Sequence, residues 1–144
     1  MPLEWTYSSE HVNWDELSQL YLDAPLGYKA PADLKIAFSN SMFKCLVYDD
    51  GKLIAAGRAL ADGTDCSYIC DVAVHPKYQG LGLGKDIVSK LVEFSKNHKK
   101  IILYAAIGKE AFYKKLGFKR MTTAMAIFKN QAEVLESGIV VDEA

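Results

Sequence analysis

The segment Gln79-Gly80-Leu81-Gly82-Leu83-Gly84 constrains this chain more than any other. Three glycines at alternate positions strip a short turn of side chains, so the backbone can approach a ligand closely. Before it lies a strand-like run, Ser67 to Val74. After it, Ile87, Val88, Leu91 and Val92 recur at helical spacing up to about Lys96. The first amides of that helix have no internal partner and point back at the turn. The helix dipole adds partial positive charge there, and a pyrophosphate suits such a place. Two common nucleotide motifs fail. A Walker motif would need glycine where Gln79 stands and Ser or Thr where Asp86 stands. A dinucleotide fingerprint meets Lys85 or Ile87 where its last glycine belongs.

The rest of the chain is read around this turn. Leu3 to Tyr7 is a first strand. Asn13 caps a helix from Trp14 to about Asp23, with Leu17, Leu20 and Tyr21 on one face. Pro25 and Gly27 end it, and a second short helix starts near Pro31. Met42 to Tyr48 and Leu53 to Leu60 form a hairpin about Asp49-Asp50-Gly51-Lys52, and Ser67 to Val74 is the third strand of a meander. Beyond the long helix, Lys100 to Ala105 reads as a strand, Lys109 to Leu116 as a short helix, and Phe118 through Ala124 to Phe128 as a further strand. The acidic tail after Gln131 receives no element. The order predicts an α/β fold (α+β mixed sheet), with helices on both faces of a central mixed sheet. The strands joined across the long helix should run parallel.

The 144 residues carry a net charge of −1, and no block of like charge is long. A sequence-independent nucleic-acid binder would show a basic face, so no nucleic-acid partner is expected. Three cysteines, Cys45, Cys66 and Cys70, without a CxxC pair argue against a disulfide scaffold and for a reducing compartment. Cys66 and Cys70 lack the further ligands a metal site needs, so no metal is expected. No apolar stretch approaches the roughly 20 residues that span a bilayer, and the first residues do not read as a signal peptide. The expectation is a cytoplasmic protein with no membrane partner, organised as one domain over 1–144.

Gln-x-x-Gly-x-Gly at Gln79 to Gly84, with Asp71-Val72-Ala73-Val74-His75-Pro76-Lys77-Tyr78 before it and Ala111-Phe112-Tyr113-Lys114-Lys115-Leu116-Gly117-Phe118 after it, resembles the GCN5-related N-acetyltransferases. The resemblance covers Met42 to Phe128, and the first forty residues by layout only. Tyr68-Ile69-Cys70-Asp71-Val72 is similar to the small branch that holds plant and bacterial arylamine-type members.

The resemblance implies the family's acyl-CoA N-acyltransferase fold, with acceptor-site helices in 1–41, a sheet and acetyl-CoA-binding core in 42–128, and a tail at 129–144. It implies acetyl-CoA as co-substrate. The amides of Gln79, Gly80, Leu81, Gly82, Leu83 and Gly84 would bind its pyrophosphate, with Lys85 opening the helix beside it. The backbone of Val72, Ala73 and Val74 would pair with the pantetheine arm, one N–H serving the oxyanion. Phe112 would belong to the core or pack near the cofactor. Tyr113 matches the tyrosine that protonates the departing thiolate, a role a phenol with a reference pKa near 10 can fill. Many members carry Asn seven residues before that tyrosine, where this chain has Ala106.

Asp71 is the candidate general base, set against a buried, hydrogen-bonded structural carboxylate. His75 sits at a strand end before Pro76 and reads as a surface residue, as do His11 and His98. Tyr28 and Tyr68 either line the acceptor site or simply pack. The reaction implied is direct transfer to a primary amine in a ternary complex. The acceptor expected is a small amine, of arylalkylamine or polyamine type, bound along Trp14 to Phe38. A protein N-terminus or lysine is the alternative, and a non-catalytic acyl-CoA sensor is the alternative from another class. A homodimer is implied by the resemblance.

Overall fold

The structure is a computed structural model that describes residues 2–142. Local chemistry sets its first elements. Strand β1 covers Glu4–Thr6. The Asn13 side chain accepts the Glu16 N–H at 3.1 Å, and helix α1 runs Trp14–Asp23 from that cap. Pro31 opens α2, Pro31–Ser39, where its missing N–H costs nothing. Strands β2, Phe43–Asp49, and β3, Lys52–Ala61, meet at a tight turn in which Asp50 (φ 50°) and Gly51 (φ 79°) are both left-handed. Such a turn matches the twist of the strands it joins.

Strand β4, Cys66–Val74, is followed by a single 3₁₀ turn at Pro76–Tyr78, helix α3 at Leu83–Phe94 and strand β5 at Lys100–Ile102. The sheet order is β1-β2-β3-β4-β5. The first three pairings are antiparallel, and β4 pairs β5 in parallel because α3 carries the chain back across the sheet. One face carries α1 and α2. There Leu17, Leu20, Tyr21, Leu34 and Phe38 pack on Leu46, Leu53, Ala56 and Ala73. The other face carries α3, whose buried Ile87 and Leu91 lie against the strand positions between those. A two-residue side-chain period sorts neighbours to opposite faces, so both faces of the sheet are covered.

The described residues form two compact units, one up to Leu103 and one from Tyr104. The second holds two short helices, α4 at Glu110–Lys115 and α5 at Gln131–Ser137. The Asn130 side chain caps α5 by accepting the Glu133 N–H, and Gly138 closes it in the left-handed conformation.

Two expectations need correction. The strand from Phe118 to Phe128 is absent: no residue of that segment pairs with a strand. Its alternating apolar residues suit a pleated, half-buried surface, yet Met125 and Ile127 are 96% and 95% exposed. Propensity without a partner edge does not make a strand. The strand expected over Lys100 to Ala105 ends at Ile102, because its pairing with β4 covers three residues only. The acidic tail, left without an element, folds in part as α5.

Candidate active site

The site is built on a parting of strands. β4 pairs β3 as far as Val74, but it pairs β5 only through Cys66, Ser67 and Tyr68. Beyond Tyr68 the outer edge of β4 is open. The His75 N–H donates to the Ile54 carbonyl of β3 at 2.8 Å. Backbone groups alternate in direction along a strand. Ala73 therefore turns its N–H and C=O toward β3, and Val72 and Val74 turn theirs to the open edge. The Gln79 side chain agrees with this: its Nε2 donates to the Val74 carbonyl at 2.9 Å and to the Ala24 carbonyl at the end of α1 at 3.2 Å.

The open edge leads straight into the glycine turn. His75 Nδ1 accepts the Lys77 N–H and shapes the 3₁₀ turn. Tyr78 hydrogen-bonds the Asp49 carboxylate. Gly80 and Gly82 then take φ of 83° and 84°, where a side chain would strain the backbone. Asp86 N–H returns to the Gly82 carbonyl at 3.0 Å, so the amides of Leu83, Gly84 and Lys85 precede the first helical bond and find no partner among the described residues. Leu83 is buried and anchors the turn, while Gly80, Leu81, Gly82 and Lys85 are exposed. Together these amides form a positively polarised stretch of backbone that suits an anion.

Between Ala56 and Arg58 the register of β3 against β4 slips, so that Gly57 alone opposes Asp71 and Val72. This is a β-bulge, and Asp71 sits in it with φ 57°. A non-glycine residue there costs of order 1–3 kcal/mol and must be held from outside. Three groups hold it. The Tyr21 hydroxyl donates to the Asp71 carbonyl at 2.6 Å. Arg58 Nε meets Asp71 Oδ2 at 2.8 Å, and Lys29 Nζ meets Oδ1 at 3.4 Å. Arg58 also donates to the Ser41 hydroxyl at 3.2 Å. Burial, followed by the nearby Asp71 carboxylate, raises the Tyr21 phenol well above its ordinary pKa, so it stays a donor. Burial likewise lifts the Cys70 thiol to about 11. Both Asp71 carboxylate oxygens thus lie within ion-pair distance of a cation.

On the opposite face, Gly57 is required by contact. A Cβ there would lie 2.7 Å from Ile87 Cγ2 and 3.3 Å from Leu91 Cδ1 and Val72 Cγ2. Helix α3 is thus seated directly on the bulge.

Val72, Ala73, Val74 and residues 79–85 are contiguous in the first unit. Tyr113 and Phe112 belong to the second. Tyr113 lies on α4, half-buried, with edge contacts to Phe112 (5.0 Å between centroids) and Phe118 (5.9 Å). Its carbonyl accepts the Phe118 N–H, which closes the turn at Gly117. Burial raises its pKa, which keeps the phenol protonated at neutral pH. Ala106 lies at the start of the same unit, where its carbonyl accepts the Lys109 N–H.

His11 is exposed, and half-buried His75 points Nε2 toward Asp23 at 3.9 Å. His98 departs from the expected solvated place. It is half-buried, accepts the Gly63 N–H at Nε2 and packs on Phe43. Tyr28 is exposed and Tyr68 half-buried. Among the described residues no group of three or more His, Cys, Asp or Glu could hold a metal, and no helix is long and apolar enough to cross a membrane. Arg58, Lys29 and Gly57 carried no expectation, and Tyr21 was expected only on the apolar face of α1. Gly57-Arg58 inside the apolar run of β3 was the available signal, since a glycine and a lone charge in a strand mark a bulge.

The sequence model of the acetyltransferase (GNAT) family matches residues 8–118. An uncharacterized N-acetyltransferase ycf52 of Pyropia yezoensis is 36% identical over 118 residues, covering 77% of this chain and 67% of its own. A protein of Oryza sativa subsp. japonica named serotonin N-acetyltransferase 2, chloroplastic, is 35% identical over 89 residues, 58% of this chain and 44% of its own. A probable acetyltransferase from meticillin-resistant Staphylococcus aureus shares the fold at a TM-score of 0.79 and 23% identity, over 88% of this chain and 98% of its own. The chain spans 61% to 67% of the length of the ycf52-type relatives.

Proposed function

The chain belongs to the GNAT acetyltransferase family, and from that premise we propose that it moves the acetyl group of acetyl-CoA to a primary amine by direct attack in a ternary complex. One observation carries the reading. The open edge of β4 from Ile69 to Val74 runs into unpartnered amides at the start of α3. Such a strip has backbone pairing groups for an amide-bearing arm and an anion site at its end, which acetyl-CoA supplies as pantetheine and pyrophosphate.

The amine nitrogen attacks the thioester carbonyl carbon, the carbon–sulfur bond breaks, and the thiolate takes a proton. A backbone N–H at Val72 or Val74 stabilises the oxyanion. Tyr113 donates the proton, and burial keeps its phenol protonated until the thiolate forms. The amine gives up its own proton to solvent, since both Asp71 oxygens are engaged. A small arylalkylamine is the first acceptor class, supported by the serotonin named for the rice relative. A plastid compartment stands beside the cytoplasmic expectation, because that relative is named chloroplastic. The homodimer is carried forward on family grounds alone.

Thiol release from acetyl-CoA, measured against arylalkylamines, polyamines, lysine peptides and N-terminal peptides, tests the proposal. A response confined to arylalkylamines supports it, and a response to peptides alone moves the acceptor to proteins. Acetyl-CoA binding without amine-dependent release would mark a sensor instead. Tyr113→Phe should lower kcat by about 100-fold while leaving acetyl-CoA affinity near that of the parent. An unchanged kcat would remove Tyr113 from the proton-donor role.

A further inference from the structure

We propose that Asp71 is a positioning residue, held by Tyr21, Arg58 and Lys29, that fixes the left-handed turn of β4 and thereby aims the Val72 N–H along the open edge. The inference rests on the acetyl-transfer reading for its chemical consequence, but its structural content is independent.

Three observations converge on it. First, Asp71 is one of two non-glycine residues with positive φ among those described, and the other, Asp50, is a hairpin-turn residue. A turn has a local reason for that conformation, whereas a mid-strand position must be imposed by tertiary contact. Second, every acceptor oxygen of Asp71 already has a partner. Its carbonyl takes the Tyr21 hydroxyl, and each carboxylate oxygen faces a cation. Two cations beside the carboxylate favour its ionised form and oppose proton uptake. Third, the holders come from three separate elements: Tyr21 from α1, Lys29 from the segment after it, and Arg58 from β3. Tyr21 is fully buried, so its hydroxyl is fixed in place by the core.

The consequence falls on the next residue. The bulge places Asp71 and Val72 opposite Gly57 alone, and the strand resumes regular pairing at Ala73. Val72 is where the direction of the amides on the open edge is set. If the left-handed turn relaxed to extended geometry, the alternation beyond it would change phase, and the N–H at the edge would belong to a different residue. An oxyanion donor tolerates little misplacement, so the clamp should act on kcat more than on cofactor binding.

Tyr21→Phe deletes one hydroxyl and keeps the ring in the core. The expected result is a kcat about tenfold lower, an acetyl-CoA KM within about threefold of the parent and an unchanged pH–rate profile. In the unliganded protein, the Asp71 and Val72 amide resonances should move. Asp71→Asn leaves a carbonyl oxygen for Arg58, and its loss should likewise stay near tenfold. Should Tyr21→Phe fold poorly, Arg58→Met and Arg58→Lys replace it, with lysine recovering part of what methionine loses. A loss beyond about a thousandfold in Asp71→Asn, with disappearance of the acidic limb of the profile, would establish Asp71 as the base and overturn the proposal. A Tyr21→Phe kcat within about twofold of the parent, with Val72 unmoved, would overturn it too. If the parent itself shows no amine-dependent thiol release, the acetyl-transfer reading fails alone. The amide resonances then decide the clamp: movement supports it and constancy refutes it.

Discussion

The two units of this molecule carry their information differently. Every buried residue among those described lies at or before Ser95, in the first unit. From Tyr104 onward none is buried, and the second unit is ordered by caps, turns and edge-on aromatic contacts. Yet the Phe112-Tyr113 to Gly117-Phe118 signature, half of what made the family recognisable, sits in that second unit. Recognisability and packing are thus separate properties. The first unit holds its site by a close-packed core, whereas the signature in the second is written in a local turn that needs little burial to form.

The sharpest test of that contrast is the same truncation in each unit. Ile87→Ala should cost about 2–5 kcal/mol by denaturant unfolding, since the side chain is completely buried. A cost below about 1 kcal/mol would show that the first unit is not the stabilising one. Gly57→Ala follows, at about 1–3 kcal/mol, because the added methyl meets Ile87 at 2.7 Å. Ile87→Ala, which removes the clashing Cγ2, should cost less in the Gly57→Ala background than in the parent, which a thermal melt of the double variant would reveal. Alkaline pH should act on both units, through the buried thiols of the first and the Tyr113 phenol of the second. Burial pushes the Cys45 thiol up to about 12 and the Cys70 thiol to about 11, from an ordinary 9.0. A raised native pKa favours folding fully below the unfolded value, so stability should stay level to about pH 9 and fall toward pH 11–12. Cys45→Ser and Cys70→Ser should alter that fall in chemical denaturation, and an identical curve would exclude both thiols. The smallest effect is Leu135→Ala on α5, partly exposed, which should stay within about 0.5 kcal/mol.

What was legible in the sequence was punctuated by local chemistry. Asn13 announced α1, Pro31 announced α2, Asp50-Gly51 announced the hairpin, and the glycines announced the strand-to-helix turn. Each works through a short-range bond or a φ preference that needs no distant partner. What was illegible depended on distant groups. The bulge at Asp71 exists because Tyr21, fifty positions away, and Arg58, thirteen away, reach the same residue. The alternating residues before Phe128 have the pattern of a strand, but a pattern cannot say whether an edge is waiting for it. Asp71 shows both limits at once: its position on the central strand was plain in the sequence, and its left-handed φ and its contacts with Tyr21, Arg58 and Lys29 lay wholly in the tertiary structure.

Helix α3 rests on the sheet at a point where a side chain has been left out, and that has a dimensional consequence. Because Gly57 carries no side chain, Ile87 and Leu91 of the helix rest on the bulge itself, and nothing from that strand position stands between them. The distance from the amides at the head of α3 to the edge of β4 is then set by side chains of the helix packed directly on the strand, with little slack to take up. A ligand that must touch both ends is gauged by its length before its chemistry is consulted, and one a few bonds too short would engage one end and forfeit the other.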